Sequence, residues 1–209
     1  MTIVMQAGRP VRLLVFSASL RDGSLNTQLA TLAGSAIERH GGKVIRARME
    51  DFSCPLYDDD LAAHGAPEGV QRFRELLFES DGMVVSSPEY NGSMPGILKN
   101  LIDWTSRYFP QPFDVNSALL LSASQSRVAG GGGLWALRVP LEHLGMRVYP
   151  EMFSLTRADD AFDANGLLRD AEVERRFDRL IDSFMTLVEA TKVYHLLARA
   201  RSQLVLSTA

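Results

Sequence analysis

Strand-like and helix-like stretches alternate along nearly the whole of this 209-residue chain. Such alternation argues for a parallel sheet covered by helices on both faces. Strands are expected at Arg12–Ser17, Lys43–Arg48, Gly82–Ser86, Ser117–Ser122 and Arg147–Phe153. Helices are expected at about Ser24–Arg39, Pro67–Glu79, Ser93–Arg107, Gly130–Leu144 and Asp170–Ala200. Five strands with five helices suit a doubly wound α/β domain of strand order 2-1-3-4-5. Its ligand then lies outside the carboxyl ends of strands one and three. The length supports one buried core and is too short for two full domains. The chain is therefore read as a single domain, with its core at about 12–188 and a helical tail over 189–209.

Strands one and three lead into two unusual loops. The first, Ser17-Ala18-Ser19-Leu20-Arg21-Asp22-Gly23-Ser24-Leu25-Asn26, follows the apolar run from Val11 to Phe16. It offers serine hydroxyls, an asparagine amide and one guanidinium just where a helix begins. Leu25, Leu29, Leu32, Ala33, Ala36 and Ile37 give that helix one apolar face. Ser24 is its natural N-cap, and Gly41-Gly42 ends it. A phosphate fits there, on the positive end of the helix dipole and among unpaired N–H groups. Arg21 can hold it through two parallel bonds, and Asp22 is expected to face solvent. The plainer alternative is a capped helix after a buried strand.

The second loop, Ser87-Pro88-Glu89-Tyr90-Asn91-Gly92-Ser93-Met94-Pro95-Gly96, follows Met83-Val84-Val85. Its Tyr90 can cover a flat heterocycle, because rings gain from offset stacking. Gly92 and Gly96 let the backbone approach a ligand. The alternative makes Tyr90 a surface aromatic and Pro88 and Pro95 turn residues. A third loop, Ser122-Ala123-Ser124 and on to Gly130-Gly131-Gly132-Gly133, is expected beside the same ligand. Four successive glycines are expected there for close approach and unusual dihedrals rather than for packing. Arg127 is a candidate contact for the 2′-phosphate of NADPH. A phosphate loop next to a ring loop points to flavin mononucleotide.

Other chemistries find little support. There is no G-x-G-x-x-G, no G-x-x-x-x-G-K-[ST] and no G-x-S-x-G. His40, His64, His143 and His195 do not pair at metal-ligand spacing, so no metal is expected. Trp104 and Trp135 are read as core residues, and Cys54 as an inert turn or buried thiol. A net charge of -3 gives no electrostatic case for nucleic acid or an anionic membrane. No apolar stretch approaches the ~20 residues needed to span a bilayer. Met1–Pro10 lacks export features, and the lone Cys54 fits a reducing cytoplasm. Asn165-Gly166 reads as a two-residue hairpin turn, and Asp170 as the cap of the last helix.

The pattern Ser19-x-Arg21-x-x-Ser24-x-Asn26, taken with Pro88-Glu89-Tyr90-Asn91-x-Ser93-x-Pro95-Gly96-x-Leu98-Lys99-Asn100-x-Ile102-Asp103-Trp104, resembles the NADPH-dependent FMN reductase family over roughly Arg12 to Leu187. Ala18 stands where that family usually has glycine. The resemblance implies a flavodoxin-like fold and an oxidoreductase that passes a hydride from NADPH or NADH, via bound FMN, to a small acceptor such as a quinone, chromate, azo dye or free flavin. It implies that Ser19, Arg21, Ser24, Leu25 and Asn26 take the FMN phosphate. Pro88, Glu89, Tyr90, Asn91, Gly92 and Ser93 would line the ring, and Ser122, Ala123 and Ser124 would complete the pocket. No protein residue is assigned a catalytic role, since the cofactor carries the chemistry. A homodimer or homotetramer is implied, to which apolar side chains in Ile97–Tyr108 and beyond Val188 would contribute. Two rivals stay open: an electron carrier without reductase activity, and a reductase that releases reduced FMN to a separate monooxygenase.

Overall fold

Beyond its first residue the opening strand is wholly buried: Leu13, Leu14, Val15, Phe16 and Ser17 all lie inside. The computed structural model describes residues 9–114, 116–126 and 130–207. In chain order its elements are β1 (Arg12–Ser17), α1 (Leu25–Arg39), β2 (Lys43–Arg46), α2 (Asp59–Ala62), α3 (Glu68–Glu79), β3 (Gly82–Ser86), α4 (Gly96–Thr105), β4 (Ser117–Ala123), α5 (Gly131–His143), β5 (Arg147–Val148), β6 (Phe153–Leu155), α6 (Ala158–Ala161) and α7 (Ala171–Ser207). All strand pairs are parallel, in the order β2-β1-β3-β4-β5, with β6 also on β4.

Alternation along each buried strand sorts the core into two layers. Leu13, Val15, Val84, Leu119 and Leu121 pack against α1 and α7. Leu14, Phe16, Met83, Val85, Ala118 and Leu120 pack against α3, α4 and α5. A sheet so covered needs apolar residues on both faces, which is why β1, β3 and β4 read as continuous apolar runs. The flavodoxin-like order expected from the sequence is the order found.

Several boundaries differ from expectation, each for a local reason. The fifth strand is two pieces. Val148 pairs with Ala118 and Phe153 with Leu121, so two extra residues bulge out around Pro150, which has no N–H for the ladder. β2 stops at Arg46 because the Arg48 N–H turns to the Asp51 carboxylate and opens a 3-10 turn at Met49–Phe52. α4 starts at Gly96 rather than Ser93, since the residues before it form a turn of their own.

Asn165-Gly166 belongs to a three-residue loop, not a two-residue one. Asp163 and Leu167 close it backbone to backbone, and the Asp163 carboxylate takes the Asn165 and Leu167 N–H groups. Trp135, expected in the core, is 61% exposed, whereas Trp104 is buried. The apolar residues of α4 are absorbed by the chain's own core: Leu98, Leu101, Ile102 and Trp104 are all buried. They do not form the surface surplus expected of Ile97–Tyr108. No described helix is long and apolar enough to cross a membrane.

Candidate cofactor site

Three loops leave adjacent strands at one edge of the sheet, and backbone bonds tie them together. The Ala18 N–H donates to the Ser86 carbonyl (2.9 Å), and the Ser87 N–H to the Leu121 carbonyl (2.8 Å). The Asn26 carboxamide completes the bracket. Its Nδ2 donates to the Ala123 carbonyl, and its Oδ1 accepts from the Ala123 N–H and the Ser86 hydroxyl, each at 2.9 Å. The Asn26 side chain, expected at the phosphate, is 4% exposed and is engaged in this frame. A partner 97 residues away leaves no local trace in sequence.

The first loop bends tightly ahead of α1. The Ser24 N–H donates to the Arg21 carbonyl (3.2 Å), and Gly23 takes a φ of +65°. Ser24 is the expected N-cap, its Oγ accepting the Asn26 N–H at 3.2 Å. Ser19 Oγ accepts the Arg21 N–H at 3.3 Å. The N–H groups of Leu20, Asp22, Gly23 and Leu25 have no acceptor among the described residues, and neither does the exposed guanidinium of Arg21. Asp22 is exposed, but beside Arg21 it also lines the groove at this loop, rather than turning away from it as expected. Ala18 keeps an ordinary negative φ and is buried, so its methyl is accommodated without strain. A groove of about 580 Å³ opens here. Ser17, Ser19, Arg21 and Ser24 line it on one side, with Arg46 and Arg48 farther out. Those two arginines are paired with Glu38 and Glu50 respectively.

The second loop is a miniature hairpin. Tyr90 and Ser93 exchange both backbone bonds, at 2.9 and 3.1 Å, around Asn91 (φ +54°) and Gly92 (φ +74°). Two central residues with positive φ make a type I′ turn, for which Asn-Gly is the preferred pair. That signal was present in the sequence beside the ligand reading. Tyr90 stands 54% exposed on the shoulder of the turn. The N–H groups of Glu89, Asn91 and Gly92 have no acceptor among the described residues, while Pro88 and Ser93 are half-buried. Residues 88–93 lie outside the lining of the groove beside the first loop.

The Glu89 side chain points elsewhere than expected: its Oε2 accepts the Gly133 N–H at 2.8 Å. Three of the four glycines, Gly130, Gly132 and Gly133, therefore do serve packing, while a Cβ on Gly131 would meet nothing. A Cβ on Gly133 would meet Glu89 Cβ and the Ser93 carbonyl at 3.1 Å, and one on Gly130 would overlap Ser122 Oγ. Ser122 is fully buried with an unpaired hydroxyl, like Ser17 at the end of β1. Ser124 is held in the frame, its N–H donating to the Leu155 carbonyl at 2.9 Å. Arg127 lies outside the described residues. Cys54 is half-buried, and burial pushes its thiol up despite a bond from Asn100. Asn100 and Trp104 both donate to the Pro55 carbonyl at 2.8 Å, so these motif residues strap a loop to α4.

A loop with free N–H groups, a guanidinium unpaired among the described residues and a helix N-terminus, beside a second loop that carries an aromatic turn, suits a phosphorylated planar ligand. Comparison with known proteins points the same way. A family model described as NADPH-dependent FMN reductase matches residues 11–160. The chain is 38% identical over 166 residues to an NAD(P)H-dependent FMN reductase of Pseudomonas aeruginosa, covering 77% of this chain and 85% of that one. It is 32% identical over 182 residues to a quinone reductase of Pseudomonas putida, covering 85% and 95%. Among solved structures, FerB, a flavoenzyme NAD(P)H:(acceptor) oxidoreductase from Paracoccus denitrificans, superposes with a TM-score of 0.74 at 28% identity, over 87% of this chain and 98% of FerB.

Proposed function

The chain belongs to the NADPH-dependent FMN reductase family, an NAD(P)H-dependent oxidoreductase that uses FMN, and on that footing we propose how its own residues hold the cofactor. The first loop takes the phosphate. The N–H groups of Leu20, Asp22, Gly23 and Leu25 converge on it, with Arg21 supplying charge and α1 its positive end. The observation that carries the reading is the placement of the loop's exposed guanidinium, Arg21, unpaired among the described residues, beside the free N–H groups that open α1. Ser19 and Ser24 shape the turn and keep hydroxyl hydrogens to donate. Tyr90 lies along the ring, and the Glu89, Asn91 and Gly92 N–H groups face its polar edge.

Bound FMN supplies the hydride chemistry, while the protein supplies position and field. Asn26 holds the loops in register, which is the protein's part in keeping donor and acceptor in reach of the ring. One ring face is left to small molecules, since neither Ser17–Asn26 nor the described part of the third loop carries an aromatic. The acceptor is a small molecule that stacks there, with a quinone as the first one to test. The enzyme works in the cytoplasm, which the lone Cys54 supports. It acts as a homodimer or homotetramer. Exposed Trp135 (61%) and Val139 (68%), one turn apart on α5, and Tyr194 (60%) on α7 support an interface.

The test is the absorbance of the purified protein, followed by NADPH and NADH oxidation with a quinone. Flavin absorbance after FMN loading, with quinone-dependent oxidation of either nucleotide, is expected. A protein that takes up no FMN, or that takes it up and oxidises neither nucleotide, contradicts the reading.

A further inference from the structure

The Glu89 side chain joins the second loop to the start of α5. α5 begins Gly131-Gly132-Gly133-Leu134, with Gly130 at its N-cap position, so its first turn contains no side chain able to cap it. The cap comes from 44 residues away, as the Glu89 carboxylate accepting the Gly133 N–H at 2.8 Å. An anionic acceptor suits a helix N-terminus twice over, through the charge-assisted bond and through the dipole. The glycines are the seat for this side chain. A Cβ on Gly132 would stand 3.2 Å from Glu89 Oε2, and one on Gly133 would be wedged between Glu89 Cβ and the Ser93 carbonyl. Glu89 also immediately precedes the Tyr90–Ser93 turn, whose two reciprocal backbone bonds make it stiff. A stiff turn fastened at its base to a helix end moves only with that helix.

We infer that Glu89 is a positioning residue: by capping α5 it sets where the Tyr90–Ser93 turn sits, and so the fit of the isoalloxazine ring, without touching the ligand through its carboxylate. This rests on the FMN reading above. It departs from the expectation that Glu89 faces the ring. It also gives the glycine run a purpose that dihedral freedom does not, since none of Gly130 to Gly133 has a positive φ.

The experiment titrates apo-protein with FMN and with riboflavin, following flavin fluorescence, for wild type, Glu89→Ala, Glu89→Gln and Gly133→Ala. Thermal midpoints of the apo-proteins are recorded alongside, and the titrations are run well below them. Glu89→Ala is expected to weaken both ligands about tenfold and equally, because the ring is common to both and a charge-assisted bond is lost. Glu89→Gln keeps an oxygen that accepts the Gly133 N–H and is expected to stay within about threefold of wild type. Gly133→Ala, with Glu89 intact, is expected to behave like Glu89→Ala. A purely structural role would lower the midpoint and leave the affinity of the folded protein unchanged. Unchanged affinities in both Glu89→Ala and Gly133→Ala overturn the inference, and so does Glu89→Gln as impaired as Glu89→Ala. If Glu89→Ala fails to fold, Glu89→Gln and Gly133→Ala still decide. Failure of wild type to bind either flavin would instead sink the FMN reading itself.

Discussion

Asn26 and Ala123 hold each other by both of their amide groups, the side chain of one against the backbone of the other, at 2.9 Å in each direction. The pair fastens the start of α1 to the end of β4, and the Ser86 hydroxyl adds β3 to the same carboxamide oxygen. All of this is buried. Asn26→Ala would leave the Ala123 N–H and carbonyl and the Ser86 hydroxyl without partners. We expect a loss of about 2–4 kcal/mol in urea unfolding. Asn26→Asp keeps the acceptor but not the donor and should fall between. A stability change in Asn26→Ala below about 1 kcal/mol would show that water replaces these bonds at little cost.

At the opposite edge of the sheet, Asp81 ties the segment before β1 to α7. Its carboxylate, 7% exposed, takes both guanidinium nitrogens of Arg9 (2.6 and 2.9 Å) and the Arg12 N–H (2.9 Å), with Lys192 at 3.7 Å. Asp81→Ala should cost about 1–3 kcal/mol. It should also raise proteolytic cleavage near Arg9 in limited-digestion experiments, which a local effect on β3 alone would not do.

Two glycines should respond differently to a methyl group. At Gly92 a Cβ meets nothing within 4 Å, so Gly92→Ala carries only the strain of φ +74°, about 1 kcal/mol. At Gly69, in α3, a Cβ would run into the backbone of Phe52 and Ser53. Gly69→Ala must push the helix off the 3-10 turn, and should cost about 1–3 kcal/mol despite the better helix propensity of alanine. Thermal denaturation of the two variants side by side checks the order; Gly92→Ala as the worse of the pair would contradict it.

Acid should weaken the fold through three aspartates. The Leu167 and Asn165 N–H groups hold Asp163 below the ordinary aspartate range, and those of Val173 and Glu172 do the same for Asp170. Burial pulls Asp178 upward, but bonds from Arg39 and His40 bring it below that range on balance. Each folded carboxyl is thus more acidic than the unfolded one. The stability they contribute is fully present above about pH 4 and is lost as pH falls through the folded values. Urea midpoints measured from pH 7 to pH 3 should drop below about pH 4, and less steeply in Asp178→Asn. A midpoint flat across that range would count against the assignment.

The sheet was legible because burial on both faces writes itself into consecutive residues. Leu13 to Phe16, Met83 to Val85 and Ala118 to Leu121 could hardly be anything else. The N-cap Ser24 was legible too, since a cap is local chemistry. What escaped were bonds between distant residues. Nothing near Asn26 or Glu89 announces Ala123 or Gly133, and both side chains looked like ligand contacts because they sat in ligand-like loops. The break around Pro150 had a visible cause in the missing N–H. The Asn91-Gly92 turn carried an equally plain signal, masked by the expectation that its residues served a ring.

In the function proposed above, the first loop holds a phosphate, with Arg21 as its charge. Titration of apo-protein with FMN and riboflavin, in wild type and Arg21→Ala, tests it most directly. Arg21 is the loop's sole cation, and its guanidinium has no other partner among the described residues. Arg21→Ala should weaken FMN by ~1.5–3 kcal/mol through loss of a charge-assisted bond and leave riboflavin, which has no phosphate, almost unchanged. Equal weakening of both ligands, or none of either, would contradict the account.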